Sequence, residues 1–148
     1  MIADDHPLMI DGIKTTLADS PEVEIVADAS NGYKVLEQID KGLEVDVILM
    51  DINMPKLDGI DCTKRVTKSH PNIKIIALSQ HSEKRFVKRM LKYGAFGYLL
   101  KDSTRDTLIE AIQQVYNGEK YFCPRLSMSL VNQELKLENT SSLFPKLT

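Results

Sequence analysis

Apolar residues along the chain switch between two periods. Three short runs, Val23-Glu-Ile-Val-Ala27, Val45-Asp-Val-Ile-Leu-Met50 and Lys74-Ile-Ile-Ala-Leu78, are rich in the β-branched and aliphatic residues of strands. Between them the apolar positions recur at helical spacing, and that alternation predicts parallel strands joined by crossover helices. A fourth run, Gly97-Tyr-Leu-Leu100, follows the turn signal Tyr93-Gly-Ala-Phe96, and Met1-Ile-Ala3 has the character of another strand's tail. Five strands alternating with five helices are expected.

The first helix is expected from near Pro7, through Ile10, Ile13 and Leu17, to about Ser20, where Pro21 forbids continuation. The second carries Val35, Leu36 and Ile39 and ends at Gly42, which readily supplies a left-handed cap. A third covers about Ile60 to Ser69. The fourth, about Glu83 to Tyr93, turns Phe86, Val87, Met90 and Leu91 inward. In the fifth, Ser103 and Asp106 have capping-box spacing, and Leu108, Ile109, Ile112, Val115 and Tyr116 form one apolar stripe before Gly118. After Cys123 the period fades. Residues 122–148 are expected to be a linker, closing with Leu143-Phe-Pro-Lys-Leu-Thr148.

With 148 residues, 43% of them hydrophobic, the chain can build one core and a short appendage. No stretch reaches the roughly 18 to 20 apolar residues that span a bilayer, and Met1-Ile-Ala-Asp-Asp5 lacks the basic start of a secretory signal. A cytoplasmic location is expected, with Cys62 and Cys123 as reduced thiols. A formal net charge of -2 argues against broad attraction to nucleic acid, so any DNA-binding part is expected outside this chain.

In an open parallel sheet, ligands sit beyond the carboxyl ends of the strands. Asp4 and Asp5 follow the first expected strand, Asp51 the third, Ser79 the fourth and Lys101 the fifth. Three carboxylates so close repel one another unless a cation shares them, and hard oxygen donors suit Mg²⁺ better than zinc. Beside such an ion an aspartate is a competent nucleophile toward phosphorus, a lysine offers a point charge to phosphoryl oxygens, and a hydroxyl donates a hydrogen bond to one. Each residue alone would be an ordinary turn or surface residue. Their meeting at the ends of independently inferred strands favours the chemical reading.

These segments resemble the receiver domains of two-component response regulators. Ile2-Ala-Asp-Asp-His-Pro-Leu-Met-Ile-Asp-Gly12 resembles the opening of the NarL/FixJ (LuxR-type) branch, and Val47-Ile-Leu-Met-Asp-Ile-Asn-Met-Pro-Lys-Leu-Asp-Gly59 resembles its phosphoacceptor strand and loop. Ala77-Leu-Ser79 and Gly94-Ala-Phe-Gly-Tyr-Leu-Leu-Lys-Asp102 resemble the later strand ends. The resemblance implies a flavodoxin/CheY-like, doubly wound α/β fold with strand order 2-1-3-4-5, and a receiver domain over residues 1–121. It implies that Asp51 is phosphorylated by a partner histidine kinase, that Asp5, Asp51 and the main-chain carbonyl of Asn53 bind Mg²⁺, and that Asp4 does so mainly through water. Ser79 is implied as the switch hydroxyl and Tyr98 as the switch aromatic, with Asn53 and His81 at positions that tune phosphate lifetime.

The same resemblance implies a signalling switch rather than an enzyme, a phosphorylation-dependent homodimer, and DNA contact only through a C-terminal helix-turn-helix that begins near Leu147-Thr148 and lies outside the chain. The first strand has only Met1-Ile-Ala3 ahead of the acids, where family members have several more residues, so either a trimmed chain or an unusually short strand is expected. Lys84, Arg85, Lys88, Arg89 and Lys92 recur on one face of the fourth helix, either as a partner patch or as a solvated face. A haloacid-dehalogenase type phosphatase shares the aspartate, Mg²⁺ and lysine, but Asp51-Ile-Asn53 lacks its second acid. A flavodoxin-like FMN carrier needs a Ser/Thr/Gly-rich phosphate loop where this chain has Asp4-Asp-His-Pro7.

Overall fold

A computed structural model of the chain describes residues 1–80 and 84–122. The elements in chain order are β1 (Ile2–Ala3), α1 (Pro7–Leu17), β2 (Asp28–Ala29), α2 (Gly32–Asp40), β3 (Val47–Asp51), α3 (Gly59–Ser69), β4 (Lys74–Ser79), α4 (Lys84–Lys92), β5 (Gly97–Leu100), α5 (Arg105–Tyr116) and β6 (Tyr121–Phe122). All strands run parallel in one sheet ordered β2-β1-β3-β4-β5-β6, the expected order with one strand added.

The continuous apolar runs are strands buried on both faces, and side-chain alternation deals their residues to two cores. On one face Ile48, Met50, Ile75, Ala77, Tyr98 and Leu100 pack with Val35 and Ile39 of α2, Val66 of α3, and Val87 and Met90 of α4. On the other, Leu49, Ile76, Leu78 and Leu99 pack with Ile10, Ile13 and Leu17 of α1, and Leu108, Ala111 and Val115 of α5. Within α3 the side chain of Thr63 is fully buried, and its hydroxyl has no hydrogen-bond partner among the described residues. An unmet buried hydroxyl carries a desolvation cost, whereas valine has nearly the same shape without it. Thr63→Val is expected to raise unfolding free energy in urea by about 0.5–1 kcal/mol, and a loss of stability would refute the reading of that hydroxyl.

Several boundaries differ from expectation. The run 23–27 is not a strand; β2 is Asp28–Ala29, because β1 offers only Ile2 and Ala3 as ladder partners. Just before that ladder, the Ala27 carbonyl accepts from Ile2 N–H at 3.1 Å and its side chain packs against the core. β6 was not expected from two residues of sequence; it exists because Gly97 and Tyr98 of β5 align with Tyr121 and Phe122. Helix α1 stops at Leu17 rather than Ser20, its last turn tightened by Ala18 N–H donating to Thr15 O. The cap of α5 is Thr104, not Ser103: the Ser103 hydroxyl donates to Leu100 O at 2.6 Å, leaving Thr104 Oγ1 to accept from Thr107 N–H. Tyr116, expected on the apolar stripe, is 61% exposed at the last helical residue, about 100° round the helix from buried Val115.

A groove of about 770 Å³, lined by Val23, Ile25, Val45 and Val47 among others, lies beside β1 at the amino end of the sheet, and Asp4, Asp5 and Asp51 are not part of its lining. Among the described residues no helix is long and apolar enough to cross a membrane. Cys62 is a free, buried thiol, which burial pushes up to about 12. His81, Cys123 and the expected linker apart from Phe122 lie outside the described residues.

Candidate functional site

Strand register assembles the site. Ala3 aligns with Met50, so Asp4 leaves β1 level with Asp51 at the end of β3. Asp51 aligns with Leu78, and Ser79 with Leu100, so Ser79 and Lys101 emerge on the same rim. Lys101 N–H donates to Ser79 O at 2.7 Å, fixing those two residues side by side. Asp4, Asp5, Asp51, Ser79 and Lys101 are thus brought together as expected.

The charged groups are in direct contact. Lys101 Nζ lies 3.0 Å from Asp4 Oδ2 and 3.2 Å from Asp51 Oδ2, and all three side chains are nearly inaccessible. Asn53 contributes its backbone N–H to Asp51 Oδ1 at 3.3 Å. Ser79 is buried, and the Tyr98 ring is wholly enclosed in the α2/α3/α4 core. His6, which sequence reasoning gave no role, reaches into the cluster: Nδ1 is 2.8 Å from Asp4 Oδ1 and 3.1 Å from Asp5 Oδ1. Its only sequence signal is adjacency to Asp5.

The loop after β3 is held by backbone packing. Gly59 opens α3 and donates its N–H to Ile52 O at 2.9 Å. A γ-turn centred on Lys56, with φ of 68°, joins Pro55 O to Leu57 N–H at 2.8 Å. That left-handed geometry is uncommon for a residue with a side chain. It bends the loop back so that Leu57 O accepts from Gly32 N–H and Asp58 caps α3 through Asp61 N–H.

Burial is the main cause that raises Asp51 to about 6, with the Asp4 charge adding to it and Lys101 and the Asn53 N–H opposing it. For Lys101, burial lowers the pKa, but the contacts with Asp4 and Asp51 outweigh it and the net shift is upward. His6 is raised by its hydrogen bond to Asp4 and then by the Asp5 charge. Asp4 Oδ2 and Asp51 Oδ2 sit within ion-pair distance of Lys101, yet neither they nor Asp5 Oδ1 make a well-directed hydrogen bond. One lysine therefore leaves the negative charge incompletely neutralised. Orphaned hard oxygens on three convergent acids are compatible with a divalent cation such as Mg²⁺.

This electrostatic debt has a pH signature. Folding favours the protonated form of Asp51, because its folded pKa of about 6 exceeds the ordinary 3.8. Its charge costs nothing below pH 3.8, and the penalty grows as pH rises through 6, to about 2–3 kcal/mol. In metal-free protein, the stability of Asp51→Asn relative to wild type is expected to climb by that amount between pH 4 and 7.5. Urea unfolding at several pH values measures it; a flat difference would sink the claim.

Residues 1–113 match the family model described as the response regulator receiver domain. This chain belongs to that family. The receiver is 42% identical over 139 residues to the transcriptional regulatory protein DegU of Brevibacillus brevis, covering 94% of this chain and 58% of DegU. It thus spans little more than half of that relative. A LuxR-family two-component response regulator from Aurantimonas sp. SI85-9A1 superposes with a TM-score of 0.84 at 23% identity, covering 91% of this chain and 96% of that one. The isolated receiver domain of RcsB from Salmonella enterica serovar Typhimurium, solved in the presence of the phosphomimetic BeF₃⁻, gives a TM-score of 0.77 at 26% identity, covering 86% of this chain and 94% of that one. The receiver is a two-component signalling module of the NarL/FixJ (LuxR-type) branch rather than a conventional enzyme.

Proposed function

We propose that Asp51 is the phosphoacceptor of this receiver, modified in a Mg²⁺-dependent reaction by a partner histidine kinase. The observation that carries the reading is the pairing of a buried, high-pKa carboxylate with Lys101 and two further acids at one rim. Asp5, Asp51 and the Asn53 carbonyl would hold the ion directly, and Asp4 mainly through water. When bound, the ion would neutralise charge on the transferring oxygens.

In the transfer itself, an Asp51 carboxylate oxygen bonds to phosphorus as the bond from phosphorus to the donor imidazole breaks, giving an acyl phosphate. Lys101, already 3.2 Å from Asp51, supplies a positive charge to the new phosphoryl oxygens. Ser79, beside Lys101 through their shared backbone bond, donates its hydroxyl to one of them. Its movement frees space for the buried Tyr98 ring to change rotamer, altering the face made by α4 and β5. Arg85, Lys88, Arg89 and Lys92 lie on α4, and Arg85 and Lys92 also flank the rings of Phe86 and Tyr93 at 4.9 and 5.9 Å. Hydrolysis of the acyl phosphate by the same site resets the switch, with Asn53 and His81 tuning its rate.

The domain extends over residues 1–121, with 122–148 as a linker toward a C-terminal LuxR-type DNA-binding domain. A role in transcription regulation agrees with the name of the DegU relative, a transcriptional regulatory protein; a cytoplasmic location and a phosphorylation-dependent dimer complete the proposal. Incubation with acetyl phosphate tests the core of the reading. The chain should gain the mass of one phosphoryl group when Mg²⁺ is present and none in EDTA; gain that ignores the metal would refute it.

A further inference from the structure

We infer that His6 is a nitrogen ligand of the cation site, and that it gives this receiver a preference for transition-metal divalent ions over Mg²⁺. The inference deepens the cation reading above and rests on it. An octahedral ion with bonds of about 2.1 Å sets neighbouring donor atoms about 3.0 Å apart and opposite ones about 4.2 Å apart. His6 Nδ1 lies 2.8 Å from Asp4 Oδ1, 3.1 Å from Asp5 Oδ1 and 4.0 Å from Asp51 Oδ2. Two of these distances are octahedral edges and the third is close to an octahedral diagonal; in this arrangement Asp4 Oδ1 is a direct ligand of the ion rather than one acting through water. A simple imidazole–carboxylate pair needs one acid; here a single nitrogen converges on three.

The ring is held there by its backbone. His6 N–H donates to Asp4 Oδ1 at 2.9 Å, and its carbonyl accepts from Met9 and Ile10 N–H as the cap of α1. Pro7 further confines His6 to the extended region it adopts, φ -102° and ψ 105°. The side chain is 58% exposed, so the proton of the neutral ring can reside on Nε2 while Nδ1 coordinates. An imidazole nitrogen adds little for Mg²⁺, which prefers oxygen, and much for Mn²⁺, Co²⁺ and Ni²⁺.

His6→Asn separates ligand from scaffold, because its backbone N–H still donates to Asp4 Oδ1 while the side chain has no ring nitrogen. In the 148-residue chain loaded with Mn²⁺, electron spin-echo spectroscopy should show ¹⁴N modulation from coordinated imidazole in wild type and none in His6→Asn. Calorimetric titration should show Ni²⁺ affinity falling about 10-fold or more in the variant while Mg²⁺ affinity stays within about twofold. Modulation that is absent from wild type, or that persists in the variant, overturns the proposal, as does an equal change for both metals. Failure of wild type to bind any divalent ion would instead overturn the cation reading itself, and this proposal with it.

Discussion

Asp51→Asn is expected to abolish phosphoryl incorporation from acetyl phosphate, leaving no mass gain where wild type is modified. The amide nitrogen is a poor nucleophile, and an acyl phosphate cannot form on it. The other acids do not substitute. Asp4 Oδ1 is engaged by the His6 backbone N–H at 2.9 Å and by the His6 ring nitrogen at 2.8 Å, against a single 3.3 Å bond from Asn53 N–H to Asp51 Oδ1, so Asp4 has the less available oxygen for attack. Asp5 is the accessible acid of the cluster, but its close side-chain partner is His6 Nδ1 at 3.1 Å, while Lys101 pairs with Asp4 and Asp51. Intact-mass measurement reads the result directly. Modification of the variant at the wild-type level would remove Asp51 from the role. Urea unfolding of the same variant separates loss of the nucleophile from loss of the fold.

Gly59→Ala is expected to destabilise the fold by about 3 kcal/mol or more and to weaken cation binding with it. A Cβ on Gly59 would meet Asp51 O at 2.0 Å, and Asp51 C and Ile52 Cα at 2.9 Å. All three are backbone atoms, so no rotamer change relieves the overlap. Either α3 moves off the sheet or the end of β3 shifts, and the second response displaces the Asp51 carboxylate from Lys101. Gly12→Ala is the matched control: it sits within α1 with nothing within 4 Å of the added atom, so alanine there should gain up to about 1 kcal/mol from helix propensity. Urea unfolding of both variants, with Mg²⁺ titration, checks the contrast. A loss below about 1 kcal/mol at Gly59 would refute the contact.

Much of the fold was legible because buried parallel strands need apolar residues on both faces. The runs ending at Met50, Leu78 and Leu100 mark β3, β4 and β5 closely, and the polar residue after each run falls at the sheet's carboxyl rim. Where strand formation depended on a partner, the local signal misled. Val23–Ala27 has strand composition but no ladder opposite it, while Tyr121–Phe122 has little signal and a ready neighbour in β5. The cap of α5 went to Thr104 because the Ser103 hydroxyl was taken by a carbonyl of β5.

By itself, then, the sequence determined the alternation of elements and the residue types at the strand ends, since periodicity and turn chemistry are local properties. Only the tertiary structure decided how far apart those residues stand and what their charges experience. Asp4, Asp51 and Lys101 are distant in sequence, and their contacts arise from strand register. The raised pKa of Asp51 follows from removing solvent around two neighbouring acids, and the inward place of His6 from its pinned backbone. Burial and through-space Coulomb interaction depend on the assembled chain, and no stretch of sequence carries them alone.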